Sequence, residues 1–112
     1  MTVEMKLQKD PFEKIRAGYK TIELRLYDEK RQKLKPGDQI EFTNMADPSQ
    51  KILAQVLALH IFHSFDEMFQ ALPATSMGYG PNQIPDPKDM EAYYSKEEQA
   101  QYGVVGIELS LL

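Results

Sequence analysis

Apolar and polar residues alternate through VEMKL from Val3, the period of two that turns one side of a strand toward a core. Asp10-Pro11-Phe12-Glu13 then reads as a helix start: a capping carboxylate, a proline suited to the first turn and a glutamate behind it. Ala17-Gly18 supplies the stop. In the next strand Ile22, Leu24 and Leu26 share one face, and Thr21, Glu23, Arg25 and Tyr27 share the other. The aliphatic face is assigned to the core.

Asp28 to Lys35 is a charged connector with room for one helical turn, and Pro36-Gly37 turns the chain into a strand from Asp38 to Phe42. Lys51 to Phe62, rich in Ile, Leu and Val, reads as a long central strand bent along its length. Helix starts follow at Ser64 with Glu67, at Asp86 with Pro87 and Asp89, and at Ser95 with Glu98. Between the first two, ATSMGYGPNQIP (Ala74 to Pro85) is too rich in glycine and proline for a regular element, and a loop of that length suits a lid or a disordered segment. Val104 to Leu111 closes the chain as a strand. Five strands with short helices in their connections predict a single α+β domain over 1–112, built on a small mixed β-barrel with the helices packed outside.

With 112 residues the chain can build one core without disulfides, and the absence of cysteine excludes thiol chemistry and thiolate zinc sites. No basic leader precedes an apolar run and no apolar stretch reaches membrane-spanning length, so a cytoplasmic protein with no membrane partner is expected. A monomer is the accompanying expectation. Net charge is -4, which argues against a wide phosphate-gripping surface. Residues 1–51 hold 11 Lys and Arg against 9 Asp and Glu and the remainder 2 against 8, so any electropositive patch belongs to the first half.

Chemistry concentrates in GYKTIELR, residues 18–25, where Lys20, Glu23 and Arg25 surround the aliphatic stripe. Taken by themselves these charges form a solvated face with ion pairs of about 0–1 kcal/mol. Gly18, Lys20, Glu23 and Arg25 nevertheless reproduce the G-x-K-x-x-E-x-R signature of the ASCH domain, which is similar to PUA RNA-binding domains. LKPGDQIEF from Leu34 and YGVVGIEL from Tyr102 resemble that family's next and closing strands, so the resemblance spans nearly the whole chain.

The resemblance implies a barrel whose cleft holds the signature residues. It also implies two functions: capture of an unpaired base in RNA, with ribonuclease activity in some relatives, or hydrolysis of N4-acetylcytidine to cytidine and acetate by a lysine, a threonine and a glutamate without a metal. The family lysine falls on Lys20 and the arginine on Arg25, whereas the family threonine falls on Glu23 and the family glutamate near Thr75 and Ser76. This departure either removes the activity or exchanges the two roles, with the hydroxyl from Thr75 or Ser76 and the carboxylate from Glu23. In the second case Lys20 and Glu23 move protons, Arg25 holds a carbonyl or oxyanion, backbone N–H groups at Gly78 and Gly80 add donors, and Tyr79 stacks on the base.

The expected substrate is a small nucleoside, with no cofactor and no metal; weak RNA binding is the alternative partnership. His60 and His63, three apart on a strand, face opposite sides and do not form ligand spacing. Tyr93 and Tyr94 read first as packing residues and second as stacking surfaces, and Lys30, Arg31, Lys33 and Lys35 form a basic cluster suited to phosphates.

Overall fold

The structure, a computed structural model, describes residues 2–112. Strand β1 (Thr2–Leu7) leads into helix α1 (Lys9–Arg16), then β2 (Ile22–Leu26), a single 3-10 turn (Arg31–Lys33), β3 (Gln39–Asn44) and β4 (Asp47–Phe62). Helix α2 (Phe65–Ala71), a second 3-10 segment (Pro87–Ala92), α3 (Lys96–Tyr102) and β5 (Val104–Leu111) complete the chain. The five strands form one curled half-barrel in the order β1-β3-β4-β5-β2. It is mixed, with β1 parallel to β3 and the other neighbours antiparallel. No helix among the described residues is long and apolar enough to cross a membrane.

Two cores lie on the two faces of this sheet. Val105, Ile107 and Leu109 of β5 join Met5, Leu7, Ile40, Phe42, Ala54 and Val56 inside the curl, where α1 adds Phe12 and Ile15 as a plug. Val104 points the other way and joins Ile22, Leu24 and Leu26, over which α2 lays Phe65 and Met68. The aliphatic stripe of β2 therefore belongs to the outer core. Its other face turns inward: Glu23 stands opposite Ile107 and Arg25 opposite Val105, and directly opposed residues of an antiparallel pair share a face. Gly106 lets α2 approach, because a Cβ there would lie 3.0 Å from Leu72 Cδ1 and 3.1 Å from Ile22 Cγ2.

Several local expectations shift. The first helix starts at Lys9 with Gln8 before it and no side-chain cap; Asp10 instead lies in the first turn and pairs with Lys14 at 3.1 Å. Strand β3 runs on to Asn44 and β4 starts at Asp47, because the Asn44 side chain accepts from the Ala46 N–H and closes a tight hairpin. The bend in β4 is a register shift between Val56 and Ala58, where one extra residue re-aims the strand. Ser64 and Ser95 cap α2 and α3 as predicted, the latter in a reciprocal capping box with Glu98. The segment after α2 is not a free lid over its first half. The Ser76 carbonyl accepts from the N–H groups of both Thr21 and Ile22, and Met77 is buried in the outer core.

Candidate functional site

The half-barrel is open between its edge strands β1 and β2, and the cleft lies at that opening. It measures about 460 Å³, within the roughly 300–1,000 Å³ of small-molecule pockets. At its floor the Lys20 ammonium lies 3.2 Å from Glu23 Oε1, and Arg25 Nε donates to Glu23 Oε2 at 2.7 Å. Side-chain exposure is 11% for Lys20, 6% for Glu23 and 13% for Arg25, so these are not the solvated pairs of a surface strand. Burial pushes the Glu23 carboxyl up, but the Lys20 and Arg25 charges and their hydrogen bonds together outweigh it and hold the group below its ordinary value. Burial likewise disfavours the Arg25 cation, and Glu23, with Tyr94, more than restores it. Glu23 is thus a carboxylate shared by two cations.

Each member is positioned by a different element. Arg25 Nη2 donates to the Lys6 carbonyl at 2.8 Å, spanning the gap from β2 to β1. Lys20 precedes the regular strand, and its N–H donates to the Lys14 carbonyl at the end of α1, 3.1 Å away, which frees its side chain from strand alternation. Its stem then runs beside Gly78, whose φ is +105 and where a Cβ would lie 3.2 Å from Lys20 Cδ. Lys14 closes the arrangement by donating from Nζ to the Gly78 carbonyl at 2.9 Å.

The upper wall is aromatic. Tyr79, Tyr93 and Tyr94 line the cleft with Met45, Met77 and Met90. Tyr79 donates its hydroxyl to Asp89 at 3.1 Å; burial first, and then Asp89, push it up to about 12. Tyr94 stacks on Phe65 at 6.0 Å between centroids while its hydroxyl end faces Arg25 and Glu23, so it serves both packing and the cleft. Tyr93 is 59% exposed at the rim.

The structure brings Lys20, Glu23, Arg25, Gly78 and Tyr79 to one cleft. Thr75, Ser76 and Gly80 are not among its lining residues. Thr75 is exposed, and Ser76 faces β2 through its carbonyl. The N–H groups of Gly78 and Gly80 are already committed, to the Thr75 carbonyl and the Gln83 side chain, because the loop folds back on itself in tight turns. His60 meets Glu108 at 2.9 Å on the outer face. Of the basic cluster, Arg31 pairs with Asp28, and none of Lys30, Arg31, Lys33 and Lys35 lines the cleft.

Sequence reasoning missed Lys6, Lys14 and Asp89 as cleft residues. For Lys14 a signal existed, since it follows Asp10 by four on one helix face, but its contact with Gly78 spans 64 residues.

Comparison with known proteins agrees with this fold. A sequence model of the family described as ASCH domain matches residues 5–112. The crystal structure of hypothetical protein PH0355 is similar at 34% identity and a TM-score of 0.85, with 100% of both chains covered. The solution structure of protein PF0455 from Pyrococcus furiosus is similar at 35% identity and a TM-score of 0.77, covering 100% of this chain and 98% of that one. ASCH from Zymomonas mobilis shares the fold at 13% identity and a TM-score of 0.70, over 97% of this chain and 66% of its own. No curated protein matches the chain.

Proposed function

Because the chain belongs to the ASCH domain family, we propose that its cleft is the active site of a metal-independent amidohydrolase that removes the N4-acyl group from a modified cytidine or cytosine. The supporting observation is the buried Lys20, Glu23 and Arg25 constellation beneath a tyrosine-lined cleft of small-molecule size. A pyrimidine ring stacks against Tyr79 and Tyr94, with its acyl amide directed at the charged floor. Arg25 and Lys20 face the acyl oxygen, where negative charge develops in the transition state. Because neither Thr75 nor Ser76 lines the cleft, water serves as the nucleophile in this reading. Water adds to the acyl carbon as one of its protons passes to the Glu23 carboxylate. The C–N4 bond breaks as N4 takes a proton from the Lys20 ammonium, which Glu23 then reprotonates; the acid product gives its remaining proton to solvent, and a carboxylate and the free exocyclic amine result. No cofactor takes part, and one subunit carries the whole site.

The test is incubation of chelator-treated protein with N4-acetylcytidine, following ultraviolet conversion to cytidine. Turnover that survives chelation and disappears in Lys20→Ala is expected; absence of turnover in the folded protein overturns the reading. A second reading, capture of an unpaired RNA base, is favoured by exposed Tyr93 at the rim. Binding of single-stranded RNA that falls steeply with salt, without hydrolysis of the nucleoside, would select it.

A further inference from the structure

The floor of the cleft does not balance its charge. Lys20 and Arg25 bring two cations to a single carboxylate, Glu23, and all three side chains are at most 13% exposed. The neighbouring acids do not make up the difference. Asp10 is paired with Lys14, and Asp89 accepts from the Tyr79 hydroxyl at the opposite wall. A buried unit of positive charge is costly unless something neutralises it. The donors are also not exhausted: an ammonium has three N–H groups and a guanidinium five, while the partners of these side chains are Glu23 for Lys20, and Glu23, the Lys6 carbonyl and the Tyr94 hydroxyl for Arg25.

We propose that the unbalanced charge is a binding subsite for a small monoanionic oxyanion, a carboxylate, held between Lys20 and Arg25 at the floor of the cleft. In an amidohydrolase this subsite holds the departing acid, so the carboxylate product is retained and competes with substrate. The identity of the anion as product rests on the function proposed above; the binding itself does not.

The electrostatics give a test with opposite signs. Acetate is titrated against chloride at constant ionic strength and followed by calorimetry and by the amide shifts of residues 20–25. Saturable one-to-one binding of acetate is expected. Lys20→Met, which neutralises the floor, should weaken it about fivefold or more, the least that a unit charge some 4 Å away exerts in water. Glu23→Gln, which leaves both cations, should strengthen it by a similar factor. Should Glu23→Gln fail to fold, Lys20→Met alone decides. No acetate binding beyond that of chloride, unchanged affinity in Lys20→Met, or phosphate saturating the site while acetate does not would each overturn the proposal. Acetate binding without hydrolysis of N4-acetylcytidine would uphold the subsite and sink the amidohydrolase. Hydrolysis without acetate binding would do the reverse.

Discussion

Arg25 reaches across the open seam of the half-barrel to the carbonyl of Lys6, 2.8 Å away, while its Nε holds Glu23. One side chain therefore joins the two edge strands and builds the site between them. Arg25→Ala should destabilise the fold by about 3–5 kcal/mol, because it leaves Glu23 with half its partners and the seam without its strut. Arg25→Lys should recover part of this at most, since an ammonium lacks the fork that serves both acceptors. Urea denaturation of the three proteins measures the difference.

Lys20 carries the complementary expectation. Its side chain makes one charged contact and lies outside the apolar clusters, so Lys20→Ala should cost about 1.5–3 kcal/mol and leave the protein folded. Its kcat should fall by roughly 10²–10⁴, the contribution of a positioned proton-transfer group. Unfolding of the variant at room temperature would make Lys20 structural instead of catalytic.

Gly78 connects the loop to the lysine. Gly78→Ala forces a side chain into a positive-φ position and places its Cβ 3.2 Å from Lys20 Cδ. The backbone cost is about 1–3 kcal/mol, read as a drop in Tm. Activity should fall further than the lost stability explains, because the Lys20 stem must move. Gly80→Ala has open backbone conformation and only the Gln83 side chain nearby, and should be close to neutral on both readouts.

Glu23 sets the response to acid. Its carboxyl lies below the ordinary 4.5, so in mild acid the unfolded chain binds more protons than the folded one. Its contribution to stability is complete above about 4.5 and is lost as pH falls through the lower folded value. Denaturant midpoints measured from pH 6 downward should decline in that window, and Glu23→Gln should decline less. An equal decline in the two proteins would show that other carboxylates govern the acid limb.

The tyrosine wall gives the last expectation. Tyr79→Phe removes the bond to Asp89 that ties the loop after Gly78 to the Pro87–Ala92 segment. It should raise KM several-fold with little change in kcat, as expected when only positioning of the base is lost. A loss confined to kcat would place the hydroxyl in the chemistry.

The sequence by itself determined the element order, the α+β class and the common face of Glu23 and Arg25, because alternation in β2 and the caps at Ser64 and Ser95 are local signals that neighbouring residues enforce. The family signature likewise marked Lys20 with them, and the ASCH model match over residues 5–112 shows the family. Tertiary structure alone decided that Glu23 would be buried instead of solvated: the strand has a core on each face, and only the pairing of β2 with β5 shows that its polar side looks into the curl. It also left Thr75 and Ser76 out of the cleft lining and brought Lys14 to Gly78. Those positions depend on contacts between residues up to 64 apart, which no periodicity encodes, and on a loop whose backbone hydrogen bonds are made with β2 and α1 instead of with its own sequence neighbours alone.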